Sequence, residues 1–209
     1  MAAGSKRQLT KDDGQLTMAV LRTFVAVEVT PEIRSTALRL IERLRGAPVK
    51  VTWTKADNLH YTLKFLGDVL AEKTADICRA VQEAVGPFSP FEIVAAGAGA
   101  FPSAGHPRTV WLGLNEGAEQ MELVYQAVER LLEPLGFPKE HRRFTAHLTL
   151  GRVRGGDPTG FNELAELVRK HAEFDAGAMT VDSVTVFSST LGRDGPMYEV
   201  LSRAEFRGA

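Results

Sequence analysis

Cysteine is all but missing from this chain: Cys78 stands alone among 209 residues. A single thiol can form no internal disulfide, which excludes a small secreted scaffold held by cross-links. No apolar run approaches the roughly 20 residues of a membrane-spanning helix, and the N-terminal residues lack the apolar stretch of a signal peptide. An excess of charge of either sign is missing too. The 25 Lys and Arg against 26 Asp and Glu leave a net charge of −1. That excludes a broadly basic protein that coats nucleic acid, so any such contact is expected to be local, at an end or a single phosphate. The rest is ordinary for a globular chain, with 44% hydrophobic and 24% charged residues and enough length to bury a core in one domain or two small lobes. The expectation is a cytoplasmic protein with no membrane contact.

Histidine is also scarce, with five residues in the chain, yet two of them recur in the same setting. His60-Tyr61-Thr62-Leu63 returns 87 positions later as His147-Leu148-Thr149-Leu150. Each copy sits in an alternating or apolar run that reads as a strand. Successive side chains on a strand point to opposite faces, so the His and Thr of each copy share one face while Tyr61, Leu63 and Phe65, like Leu148 and Leu150, point to a core. One lone His on a strand is usually structural, and Thr is a common strand former. Two matching copies are a different matter. Two imidazoles near their ordinary pKa of about 6.5 can divide the work, one neutral and taking a proton, the other protonated and giving one. Two hydroxyls can hold an anionic centre between them, and a phosphodiester fits that description. Neither tetrad carries a carboxylate, and His with Thr is a poor ligand set for zinc, so no metal or other cofactor is expected.

Residues 1–17 are polar and aperiodic, and a flexible tail is expected there, with Met18 as an alternative start and residues 18–209 as one bilobal domain. Strands are expected at 21–29, 49–53, 59–66, 91–96, 109–114, 146–153, 179–187 and 198–206. Helices are expected at 31–45, opened by Thr30 and Pro31, and at 71–85, 118–135 and 162–171. The segment GAGAFPSAGHPR reads as a Gly/Pro-rich loop and SSTLGRDGP as a turn. Several strand connections are too short for a parallel crossover. The predicted class is α+β: two pseudo-symmetric lobes of mainly antiparallel sheet, helices outside, facing each other across a central cleft. Lys64 shares the ideal-strand parity of His60 and Thr62 and so could border the cleft, an exposed lysine being the plain alternative.

The segments RTFVAVEV with its following proline, NLHYTLKFLG, GAFPSAGHPRTVWLGL, RRFTAHLTLGRV and SSTLGRDGPMYEVL resemble the two-histidine phosphoesterases. Within them the likeness is to the RNA 2′,3′-cyclic phosphodiesterases, also called 2′-5′ RNA ligases, over most of residues 21–206. The segment before Met18 departs from that pattern. The resemblance implies hydrolysis of RNA 2′,3′-cyclic phosphate ends to 2′-phosphates, in some members with reversible 2′-5′ joining of tRNA halves. It implies His60 as proton donor, His147 as proton acceptor, and Thr62 and Thr149 as phosphate ligands. Arg152 would assist at the phosphate, although ideal-strand parity sets it opposite His147. Phe24 would stack on a nucleobase, against the commoner fate of a core phenylalanine. A monomer is expected. Competing readings are a small cyclic nucleotide or an ADP-ribose cyclic phosphate as substrate, or a non-catalytic RNA-end-binding module.

Overall fold

The computed structural model describes residues 19–193 and 195–208, so the expected tail at 1–17 and Met18 lie outside the described residues. In chain order the elements are β1 (Val20–Glu28), α1 (Pro31–Leu44), β2 (Lys50–Trp53), β3 (His60–Leu70), α2 (Thr74–Val85), β4 (Phe91–Ser103), β5 (His106–Glu116), α3 (Ala118–Leu132), β6 (Leu148–Gly155), α4 (Pro158–Lys170), β7 (Asp175–Val181), β8 (Ser183–Gly192) and β9 (Gly195–Glu205). Short 3-10 turns precede β3 and α2 and follow α3. The class is α+β. Among the described residues no helix is long and apolar enough to cross a membrane.

Local chemistry explains the helices. The Thr30 hydroxyl accepts from the amide of Ile33 at 3.4 Å, and Pro31 fills the first helical position, where its missing N–H costs nothing. Ile33, Ala37, Leu40, Ile41 and Leu44 then recur at helical spacing, and all five are buried. Each large side chain of that stripe gains about 1.5–3 kcal/mol relative to exposure. Helix α4 begins four residues before its expected start, because Asp157 caps it through the amide of Gly160 at 2.8 Å and Pro158 follows.

The strands form one antiparallel sheet in the order β7-β4-β5-β6-β3-β1-β8-β9, with β2 beside β6. This order is symmetric about the β6·β3 junction, where Tyr61 lies opposite Leu148. Strands β3, β1, β8 and β9 make one lobe and β6, β5, β4 and β7 the other. Helices α2 and α3 cover the first, and α1 and α4 pack against the second. The core lies between helices and sheet, so the opposite face of the sheet is left for a site. The buried Tyr61 phenol donates to the Gly113 carbonyl at 3.3 Å and ties β3 to the second lobe.

Three expectations fail here. The 179–187 run is two strands: β7 pairs with β4, while β8 pairs with β1 in the other lobe, the chain crossing over at Asp182. The Gly/Pro-rich segment is not a loop but the body of the β4–β5 hairpin, which turns at Ala104-Gly105. Its glycine content answers to packing, since a Cβ on Gly99 would lie 2.2 Å from the indole of Trp111. SSTLGRDGP likewise continues as strand through Gly192 and resumes at Gly195. Small residues that admit a neighbour's ring give the same sequence signal as a turn.

Candidate active site

The junction strands carry the repeated tetrads. Continued by one residue either way, the Tyr61–Leu148 register sets His60 toward Thr149 and Thr62 toward His147, so the four side chains gather about the pseudo-twofold axis. His147 is close enough to His60 for its charge to lower the His60 pKa. Both threonines are half-buried.

Each imidazole is held by a carbonyl two residues upstream. The Nδ1 of His147 lies 2.7 Å from the Thr145 carbonyl, and His60 has a backbone hydrogen bond with Asn58. A carbonyl only accepts, so Nδ1 of His147 carries the proton and Nε2 is left free for chemistry. Aromatic rings brace both imidazoles. His60 stacks on Phe24 at 4.8 Å between centroids and meets Tyr198 edge-on at 5.4 Å. His147 meets Phe101 edge-on at 5.0 Å and lies 6.5 Å from Trp111.

The next residues of each strand depart from simple alternation, in the same way twice. In the β1·β3 ladder Ala26 faces Thr62 and Val25 faces Lys64, so Leu63 is an extra residue; a second shift follows at Leu66. In the β5·β6 ladder Trp111 faces Thr149 and Val110 faces Gly151, so Leu150 is extra. A bulge reverses the parity beyond it. Lys64 and Gly151 therefore turn inward, and Phe65 and Arg152 turn to the face of the histidines. Arg152, whose ideal parity was wrong for the site, is in this way directed to it, and its guanidinium acts electrostatically on both His147 and the Tyr198 phenol. Phe65, expected in the core, is 60% exposed and packs 5.9 Å from Phe24. Lys64, expected at the cleft border or in solvent, is instead 3% exposed, paired with Glu129 and donating to the Pro138 carbonyl at 2.8 Å.

Phe24 does lie on the site face, but at 2% exposure its ring is covered by His60, Phe187 and Tyr198. It supports an imidazole and has no free face for a base, which Phe65 does have. Sequence reasoning missed Phe65, Phe101, Tyr198 and Glu28. Only the HxTLxF against HxTLxR alignment of the two tetrads hinted at one of them, by setting Phe65 level with Arg152. His106 begins β5 in an exposed position, and His171 ends α4 with Nδ1 2.8 Å from the Leu167 carbonyl.

The electrostatic setting of the two imidazoles differs. Burial drives the His60 pKa down to about 4, and the His147 charge adds to this, while the Asn58 hydrogen bond and the Glu28 carboxylate push the other way. Glu28 is itself held by Thr185 at 2.8 Å and Arg203 at 2.7 Å. Burial also lowers the His147 pKa, opposed by the Thr145 hydrogen bond and reinforced by Arg152. On balance burial favours the neutral form of both imidazoles, and the Glu28 carboxylate is the smallest of the influences on His60.

A family model described as LigT like Phosphoesterase matches residues 27–111 and, a second time, residues 112–198. Each match takes in strands of both lobes. The RNA 2′,3′-cyclic phosphodiesterase of Archaeoglobus fulgidus is 39% identical over 181 residues, 87% of this chain and 98% of that one. Among solved structures, one from Thermus thermophilus superposes with a TM-score of 0.75, and E. coli LigT complexed with 3′-AMP with 0.70. Each is 24% identical and covers 90% of this chain and 99% of its own, a likeness of fold.

Proposed function

This chain belongs to the LigT like phosphoesterase family, and on that premise we propose that it hydrolyses RNA 2′,3′-cyclic phosphate ends to 2′-phosphomonoesters through His60 and His147. One observation carries the mechanistic part: the Tyr61–Leu148 pairing sets His60 and His147 on one face of the sheet at either side of the β3·β6 junction, each imidazole hydrogen-bonded to the backbone. In-line displacement at phosphorus needs a base on the entering side and an acid on the leaving side, and a histidine on either side of the junction supports that reading. Nε2 of His147 removes a proton from water as its oxygen bonds to phosphorus. The bond from phosphorus to the 3′ oxygen breaks, and His60 delivers its proton to that oxygen. The hydroxyls of Thr62 and Thr149 donate to the non-bridging oxygens, and Arg152 offsets the charge that gathers there. The division of roles follows the family resemblance. Phe65 offers an exposed ring on which a single-stranded base can stack. The protein is read as a cytoplasmic monomer, with tRNA halves among the RNAs whose ends it would accept.

The reading is tested with a panel of cyclic-phosphate RNAs and cyclic mononucleotides, assayed in EDTA. Turnover of cyclic RNA ends without added metal is expected. Strict need for a divalent ion would overturn the two-histidine mechanism. Preference for a small cyclic nucleotide or an ADP-ribose cyclic phosphate would reassign the substrate, and binding without turnover would leave an RNA-end-binding module.

Thr62→Val and Thr149→Val should each lower kcat/KM by roughly 10–150-fold, because a hydrogen bond to a charged group is worth about 1.5–3 kcal/mol. Unchanged kinetics in both folded variants would make the threonines strand formers only.

The pH profile follows from the shifts. Both histidine pKa values lie below 6.5 in the free protein, so above that pH the singly protonated pair is depleted. The bell in kcat/KM should therefore peak on the acid side of 6.5, and its alkaline limb should fall about tenfold per pH unit. The kcat profile should lie at higher pH, since a bound phosphate anion favours the imidazolium. A kcat/KM that stays level or rises from pH 6.5 to 8 would contradict this.

A further inference from the structure

The sheet face that carries the two tetrads continues along β1 and β8 to an arginine with no part in the mechanism above. Arg22 alternates with Phe24 and Ala26 on β1, where pairing with β8 is regular, so its side chain lies on the face of the histidines. It stands opposite Ser189, which in turn stands opposite Tyr198 of β9. We propose that Arg22, with the Ser189 and Tyr198 hydroxyls beside it, holds the phosphodiester on the 5′ side of the terminal nucleotide, so that the protein prefers an RNA end to a free cyclic mononucleoside. The assignment rests on the phosphodiesterase reading above and adds to it a residue that sets substrate preference.

Position is the first argument. Ala26 faces Thr62 of the first tetrad, and Phe24 faces Phe65. Arg22 is four residues beyond Ala26 on β1, or about 13 Å at roughly 3.3 Å per residue. The exposed ring of Phe65 thus lies between the first tetrad and Arg22. A nucleoside stacked on Phe65 with its cyclic phosphate at Thr62 carries its 5′ oxygen at the far end of the ribose, toward Arg22. One nucleotide and an extended arginine side chain together bridge that span. Tyr198 marks the path, since its ring meets His60 edge-on at 5.4 Å. Burial pushes its phenol up, while Arg152 and then Arg22 pull it down, so both guanidiniums lie within electrostatic reach of one hydroxyl.

Charge is the second. A net charge of −1 gives the protein no diffuse attraction for RNA, so recognition beyond the terminal nucleotide falls to placed cations. On this face Arg203 is taken up by Glu28, and Arg152 is assigned to the cyclic phosphate. Arg22 is exposed, and among the described residues it forms no ion pair, although Asp68 stands opposite it on β3. A phosphodiester that reaches Arg22 has only that exposed carboxylate to outcompete, and exposed pairings are worth little. The planar fork of guanidinium donors matches the two non-bridging oxygens of a phosphodiester.

The contact reads charge and not sequence. Phosphate is common to every nucleotide, and stacking on Phe65 accepts any base. Arg22 therefore separates a chain from a mononucleoside without choosing among sequences. It is remote from the reacting phosphorus, so its contribution enters through KM and leaves kcat alone.

The test uses the full chain and compares adenosine 2′,3′-cyclic phosphate with the same molecule carrying a 5′-methylphosphate, a phosphodiester without a second nucleoside. Wild-type kcat/KM should be roughly tenfold or more higher for the diester, the lower range for a hydrogen bond to a charged group, with the difference in KM. Arg22→Gln, at an exposed position, should bring the two substrates within about twofold of each other, with hydrolysis of the mononucleoside unchanged from wild type. Arg22→Glu should reverse the preference. Equal turnover of the two substrates by the wild type, a preference that survives Arg22→Gln, or an equal loss on both substrates overturns the assignment while hydrolysis stands. A wild type that hydrolyses neither substrate overturns the phosphodiesterase reading and this assignment with it.

Discussion

His60→Ala and His147→Ala should each reduce kcat on a 2′,3′-cyclic phosphate by roughly 10²-fold or more, the usual worth of a positioned acid or base. The two losses should differ in kind. A leaving group much better than a ribose hydroxyl needs little protonation, so it should restore most of the rate to the variant that lacks the acid and none to the one that lacks the base. By the family resemblance, rescue is expected for His60→Ala. Rescue of His147→Ala instead would exchange the roles, and full activity in either variant would remove the mechanism. Because His60 is packed between Phe24 and Tyr198, truncation opens a gap. His60→Gln, which keeps more of the packing, should show the same rate loss and the same rescue if the proton is what matters. Thermal unfolding of each variant separates a lost proton from a lost fold.

Glu129→Ala should destabilise the protein by about 3–5 kcal/mol, the range for removing one member of a buried ion pair and leaving the other charge unmatched. Lys64 and Glu129 are each about 3% exposed. Their remaining valences are met, since Lys64 donates to the Pro138 carbonyl and Glu129 accepts from the amide of Glu140 at 2.9 Å. The pair therefore fastens β3, the strand of the first tetrad, to α3 and to the segment leading into the second. Tyr125 and Phe144 stack at 4.2 Å on that same segment, three residues before His147. For a chain of this length each kcal/mol lowers Tm by about 2–4 °C, so a fall of roughly 6–20 °C is expected. Lys64→Met with Glu129→Leu, which removes both charges and keeps apolar bulk, should recover most of it. A single variant within about 0.5 kcal/mol of wild type would show that the pair does not hold the fold together.

The fold was legible wherever a signal was local. Thr30 and Pro31 mark the start of α1, the spacing of Ile33, Leu40, Ile41 and Leu44 marks its buried stripe, and alternation through His60-Tyr61-Thr62 correctly sorted one face from the other. It was illegible wherever a neighbouring strand decided. A bulge is set by the pairing of two ladders, so nothing in HYTLKF says that Leu63 goes unpaired and that Lys64 and Phe65 exchange sides. The same holds for Leu150 and Arg152. Gly99 answers to a ring 12 residues away, and the split of 179–187 answers to two different partner strands.

By itself, then, the sequence determined the candidate groups of the proposed site: two copies of His-x-Thr, each with its apolar backing within three residues, where strand periodicity alone is enough to align them. Only the tertiary structure decided what surrounds them. The meeting of the two copies across one axis, the turn of Phe65 and Arg152 toward the histidines, and the burial that pulls both imidazoles below their ordinary pKa all depend on contacts between strands distant in the chain. Side-chain identity is a property of each residue; register, bulge and burial are properties of pairs.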